Sequence, residues 1–205
     1  NKIGKGKKIT ILHTNDTHSN IDPFPSNHPK YAGMGGVAKR AALIEKIRKE
    51  EENVVLLDSG DIFQGTPYFN TFKGELEMKL MTYMGYDAAT MGNHDFDIGL
   101  DGFLNAKQYA EFPFVCSNYD FDKTILAGKT QKNCIIKRGG IRIGIFGIGI
   151  ALEGLISGGN CVNVVYLDPI KTANEQAEEL TQDVLSTIWT KAYLFNPEKS
   201  IVPIQ

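Results

Sequence analysis

Cysteine is scarce: the 205 residues hold only Cys116, Cys134 and Cys161. An odd number without C-x-x-C spacing excludes a zinc knuckle and a full disulfide framework. Buried thiols are expected, and a bridge between Cys134 and Cys161 stays open if the chain is exported. No apolar run reaches the roughly 18 residues of a membrane span, and no signal-peptide pattern stands at the start, which is Asn1 rather than Met. A removed export signal or tag therefore stays open as well. An excess of one charge is also lacking, since 22 Lys and Arg face 24 Asp and Glu for a formal charge of -2. A nucleic-acid or membrane partner held by bulk electrostatics needs a basic face, so neither is expected. Only Lys2, Lys5, Lys7 and Lys8 are locally basic, and residues 1–7 read as a solvated tail. No internal repeat or low-complexity segment occurs. What remains, with 42% hydrophobic residues, is enough to bury a core within one domain over residues 1–205.

Residues 8–14 (KITILHT) are short, β-branched and apolar and predict a buried strand ending at Asn15 and Asp16. After a loop rich in Pro, Asn and His, residues 37–51 place Val37, Ala41, Ile44 and Ile47 three or four apart, the spacing of an amphipathic helix. Residues 53–58 (NVVLLD) predict a second buried strand, and residues 75–84 a second helix ended by Gly85. A third strand is expected at 87–91, a helix near 100–110 and a fourth strand at 113–117. Residues 133–137 and 141–148 flank Arg138-Gly139-Gly140 and predict a hairpin. After a strand-like stretch at 162–167, Asp168 as cap and Pro169 as first helical residue open a helix to about residue 184. Strands alternating with helices predict an α/β layered fold with a largely parallel sheet. From residue 185 the pattern degrades. Residues 185–195 suit a strand or a buried helix and 196–200 a turn, so 185–205 form an atypical end.

Three predicted strands end in residues that bind metals or move protons, and in an open α/β sheet such loops converge at the carboxyl edge. After the first come Asp16 and His18, which point the same way in an extended chain. After the second comes Asp61, which alone would read as a helix cap or an Asx-turn. After the third, Gly92-Asn93-His94-Asp95 sets an amide oxygen, an imidazole and a carboxylate in succession; His94 alone would read as a core or capping histidine. As a set they predict a metal site. Nitrogen and carboxylate donors without thiolates suit Zn, Mn or Fe better than Ca. Two cations about 3.5–4 Å apart are the usual device for phosphoester hydrolysis. Asp61 is the natural bridging ligand, and the amide oxygen of Asn93 suits a second metal. His94 would donate to the phosphate or leaving oxygen, with Asp95 fixing its tautomer or raising its pKa.

His13-Thr14-Asn15-Asp16-Thr17-His18-Ser19, Asp58-Ser59-Gly60-Asp61-Ile62-Phe63-Gln64-Gly65-Thr66-Pro67 and Gly92-Asn93-His94-Asp95-Phe96-Asp97 closely resemble the first three motifs of the calcineurin-like metallophosphoesterases. Within that superfamily they are most similar to the 5'-nucleotidase and cyclic phosphodiesterase branch, over residues 8–184. The resemblance implies a layered αββα sandwich and two divalent metal ions. Asp16 and His18 would bind one metal, Asp61 would bridge, and Asn93 would bind the other. His94 and Asp95 would assist catalysis, and Asn93 and His94 would touch a small nucleotide substrate. It further implies a 5'-nucleotidase-type phosphohydrolase, periplasmic or extracellular, with a separate carboxy-terminal domain that grips the nucleoside.

The family completes its metal site with three later histidines, and no histidine follows His94 here. His28, in Asn27-His28-Pro29, reads as a loop residue. Both metal shells are then heavily open, so this polypeptide alone is expected to bind metal weakly and to turn over slowly or not at all, as a fragment of a longer enzyme whose carboxy-terminal part is missing. The alternatives are a nucleotide-sugar or cyclic-nucleotide phosphodiesterase, or a non-catalytic degenerate domain. A dinucleotide-binding module is a further class, because Gly33-Met34-Gly35-Gly36-Val37-Ala38 fits G-x-G-x-x-A before a helix, but that fingerprint needs its glycines directly after the first strand.

Overall fold

Four apolar residues in succession, 54–57, suit a strand covered on both faces rather than one that alternates. They form β2, the middle strand of the sheet that matters here. The computed structural model describes residues 6–193, with side chains through residue 183. β1 (Thr10–Thr14) precedes helix α1 (Val37–Glu50), and β2 (Val54–Asp58) runs parallel to β1. Helices α2 (Pro67–Phe72) and α3 (Glu75–Met84) then lead to β3 (Ala88–Ala89), parallel to β2 on its other side. α1 buries Ile44, and α3 buries Met78, Met81 and Met84. α3 ends as predicted at Gly85 (φ 70), where Arg48 of α1 donates to the carbonyls of Met84 and Gly85 and covers helix-end acceptors.

α4 (Gly99–Lys107) and β4 (Tyr119–Asp120) follow, then the predicted hairpin of β5 (Asn133–Arg138) and β6 (Ile141–Phe146). β7 (Val165–Tyr166) returns antiparallel to β4, and α5 (Pro169–Tyr193) opens with the Asp168 carboxylate accepting the Lys171 amide at 2.8 Å. The site-bearing sheet is parallel throughout; the antiparallel pairs are the hairpin and the β4 and β7 ladder. Beneath its rim the fully buried rings of Phe63, Phe96, Phe103 and Phe114 pack on one another.

Several details differ from the sequence expectations. The third strand shrinks to two residues, because Asp87 meets β2 through its own groups: its amide donates to Leu56 O at 2.8 Å and its carboxylate accepts the Leu56 amide at 2.9 Å. The fourth strand reduces to single parallel bridges at Phe114 and Val115, beside a proline that has no N–H to give a ladder. Helix α2 is added, opened by Pro67 at its first turn. Where residues 185–195 left strand or buried helix open, the backbone of α5 simply continues to Tyr193; residues 194–205 lie outside the described part. Of the expected basic tail, residues 1–5 also lie outside it, while Lys7 reaches Gly139 O at 2.5 Å and Lys8 pairs with Glu51. All three cysteines are free thiols, so Cys134 and Cys161 are not bridged. Gly36 is required for packing in its loop, since a Cβ there would stand 2.7 Å from Pro23 N.

Candidate metal centre

Strand register decides where the three clusters go. Thr14 pairs with Asp58 and Asp58 with Ala89, so β1, β2 and β3 end side by side and their loops leave from one rim. Backbone pairing continues past the strands. Asp16 N donates to Gly60 O at 3.0 Å, His18 N to Asp61 O at 3.0 Å and Ser19 N to Ile62 O at 2.9 Å, which zips the first loop to the second. The third loop can approach only because it begins with glycine: a Cβ on Gly92 would fall 2.1 Å from Asp61 Oδ1. His94 N then donates to that same Asp61 oxygen at 2.8 Å.

One ligand atom from each of Asp16, His18 and Asp61 lies within 4.8 Å of the others. All three residues hold positive φ, at 50°, 44° and 54°. Such non-glycine conformations cost of order 1–3 kcal/mol each and persist only where the surroundings impose them. The zipped loops impose them here. His18 Nδ1 lies 3.2 Å from Phe63 O, and because a carbonyl only accepts, Nδ1 carries the proton. Nε2 therefore presents its lone pair toward Asp16 Oδ1, 3.7 Å away. A lone pair facing carboxylates fits a cation, and the donor set of one imidazole nitrogen with two carboxylates suits a divalent Zn, Mn or Fe ion. Asn15 donates its side-chain N–H to Asp16 Oδ2 and holds that carboxylate in place. Asn93 starts the short 3-10 turn His94–Phe96, and its side-chain amide makes no hydrogen bond among the described residues. Asp58, at the end of β2, accepts Thr14 Oγ1 at 2.5 Å and Gly60 N at 2.9 Å, while burial pushes its carboxyl up to about 6.

The His94 ring stands 5.2 Å from the His18 ring, edge to face, which brings the expected catalytic imidazole to the cluster. The carboxylate beside it is not the expected one. Asp97 Oδ2 lies 2.7 Å from His94 Nδ1, whereas Asp95 is fully buried and faces away. In a 3-10 turn residues i and i+3 eclipse, so residues 94 and 97 stack while residue 95 points to the other side. There Asp95 Oδ1 accepts Ile62 N at 2.9 Å and Phe63 N at 3.2 Å, and Oδ2 accepts Asp61 N and Gly92 N, both at 2.9 Å. It is the knot between the second and third loops. Burial pushes its carboxyl up to about 7, against the amide bonds from Gly92 and Phe63. The signal for Asp97 was in the sequence as H-x-x-D on a tight turn. Nothing there marked Asn160, whose side chain donates to Asp97 O at 2.9 Å.

The hydrogen bond that His94 donates to Asp97 raises the His94 pKa, with burial opposing it. In the metal-free chain Asp97→Asn is expected to lower that pKa, read from the imidazole C–H shifts in an NMR titration. The pair's contribution to stability is complete below the imidazole's unfolded pKa and is lost as pH rises through the raised folded value, so the variant is destabilised at mildly acidic pH and unaffected at alkaline pH. An unchanged titration would separate Asp97 from His94. His28, by contrast, accepts the Tyr31 amide at 2.9 Å and stacks on Tyr31, a loop role away from the cluster. Beside Asp16 opens a cleft of about 840 Å³ whose walls include Thr14, Phe24, Arg40 and Tyr68.

Comparison with known proteins gives four concordant matches. The family model described as calcineurin-like phosphoesterase matches residues 9–202. A snake venom 5'-nucleotidase of Gloydius brevicauda is 40% identical over 147 residues, which are 68% of this chain and 25% of that protein. The 5'-nucleotidase precursor of Thermus thermophilus superposes with a TM-score of 0.76 at 32% identity, covering 85% of this chain and 35% of that one. The NAD nucleotidase of Haemophilus influenzae superposes with a TM-score of 0.74 at 29% identity, covering 85% and 32%. The chain thus spans about a quarter to a third of the length of these relatives.

Proposed function

Since the chain belongs to the calcineurin-like phosphoesterase family, we propose that it carries the metal-binding half of a 5'-nucleotidase-type site, with Asp16, His18, Asp61 and Asn93 as ligands of two divalent ions. The meeting of Asp16, His18 and Asp61 within 4.8 Å, beneath the His94 ring, carries this reading. Zn, Mn or Fe held there would polarise the phosphoryl oxygens and offset their developing charge. Asp61, placed between the first and third loops, would be the ligand shared by both ions. The unpartnered amide of Asn93 would serve metal and phosphate. His94, oriented by Asp97 through Nδ1, has Nε2 free to give a proton to the leaving oxygen. Asp95 acts through the backbone it gathers. Nucleoside recognition falls to the part of the relatives' length that this chain does not span, and the names of the venom protein and of the precursor support an exported location.

Four protein ligands hold two ions loosely, so weak metal binding and slow turnover are expected of these 205 residues alone. The test is phosphate release from AMP, cyclic AMP and a UDP-sugar by Mn-loaded protein, with His94→Ala as control. Release from AMP that chelator abolishes and that His94→Ala lowers by about 100-fold or more supports the reading. Equal release by His94→Ala would contradict it, and preference for the cyclic or sugar substrate would move the chain to a sister activity.

A further inference from the structure

Glu77 takes no part in phosphoester chemistry, yet it is an acid only 4% exposed, on the face of α3 behind the first loop. Its Oε1 accepts the Ser19 hydroxyl, and its Oε2 is buried with no hydrogen-bond partner among the described residues. Arg40 on α1 is half-buried, with its charge near Asp58 and Tyr86, but its Nε is buried and unpartnered among the described residues. An unpartnered buried polar atom is costly, and since no direct ion pair joins the two residues, that cost is relieved only across the space between them. Both residues line one small, partly enclosed cavity of about 10 Å³, together with Thr17, Ser19 and Ile62. That is about the room of a single water.

Ser19 links this cavity to the metal centre. It is 1% exposed, sits at φ 53 and directly follows His18. Its carbonyl and hydroxyl oxygens accept the Thr66 hydroxyl at 2.8 and 3.1 Å, so every polar group of the residue is committed. Fixing Ser19 fixes the peptide that aims His18.

We propose that Arg40 and Glu77 form a buried charge pair across this cavity that holds Ser19, and through it Asp16 and His18, in the ligand geometry. Glu77 is then a positioning residue for the metal centre, a role that rests on reading Asp16 and His18 as ligands. The test uses the 205-residue chain and Mn2+ alone, followed by electron paramagnetic resonance, in wild type, Ser19→Ala, Glu77→Leu, Glu77→Gln and the Ser19→Ala/Glu77→Leu double variant. Glu77→Leu and Ser19→Ala are each expected to weaken Mn2+ binding about 10-fold to 100-fold, as loss of a ligand's support does. The double variant should be no weaker than the worse single, because the two act in series. Glu77→Gln, which keeps an oxygen for Ser19, should retain most of the affinity. Thermal unfolding reads the pair itself: Arg40→Leu and Glu77→Leu each lower Tm, and together they recover most of the loss. Unchanged Mn2+ affinity in Ser19→Ala and Glu77→Leu, with Asp61→Asn losing it, overturns the positioning role; additive Tm losses overturn the pair. An Asp61→Asn chain that binds like wild type overturns the metal reading and the positioning role with it, leaving the pair to stand or fall on Tm.

Discussion

An Asp61→Asn chain is expected to fold as before and to lose at least about 100-fold in Mn2+ affinity, more than the loss of a neighbour's support costs. Asparagine tolerates the left-handed backbone that residue 61 holds at φ 54, and its amide oxygen still accepts His94 N. Only the charge goes. In the metal-free state that charge is a burden, because Asp16 and Asp61 converge on one point without a cation between them. Unfolding of the metal-free variant should therefore show equal or slightly higher stability, by about 1 kcal/mol or less at this half-exposed position. Asp61→Ala should differ in sign: it loses the acceptor for His94 N and puts an ordinary side chain at positive φ, so its Tm falls. Mn2+ binding by Asp61→Asn at wild-type strength would remove Asp61 from the site.

The largest loss of stability is expected at Asp95. Asp95→Ala leaves four backbone N–H groups unpaired, each costing about 1–3 kcal/mol, so about 4–12 kcal/mol in all. Against this stands the relief of a buried charge. A carboxyl raised from 3.8 to about 7 carries a penalty of about 4 kcal/mol at neutral pH. The orphaned donors win. The difference runs from about 0 to 8 kcal/mol, and its middle, about 4 kcal/mol, should lower Tm by roughly 10 °C in a chain of this size. Asp95→Asn changes no volume but turns an NH2 toward the amides of Asp61 and Gly92, and should also destabilise. A Tm within about 3 °C of wild type for the alanine variant would show that these amides find other partners.

The parallel sheet, the hairpin and the rim were legible because each rests on a local pattern: an unbroken apolar run at 54–57, glycines at the hairpin, and donor residues directly after strands. Asp16, His18 and Asp61 could be placed together from strand order alone. Asp95 and Asp97 could not be told apart by nearness in sequence. The first neighbours His94 in the chain, but a turn of three residues sends it into the core and brings the second under the imidazole. Asn160 and Glu77 were hidden for another reason. Each reaches the site from an element distant in sequence, through contacts that no periodicity encodes.

The backbone bonds that zip the first loop to the second join residues 14–19 to 58–62, Thr90 N donates to Asp58 O at the third strand's end, and every bond to the Asp95 carboxylate comes from residues 61–92. The segment therefore contains its own closing contacts before the β5 and β6 hairpin exists as chain. On a ribosome, where the amino end emerges first, the ligand loops can take their left-handed turns while the later hairpin is still being translated. The ligand loops thus close ahead of the hairpin in the order of synthesis, as well as side by side on the sheet.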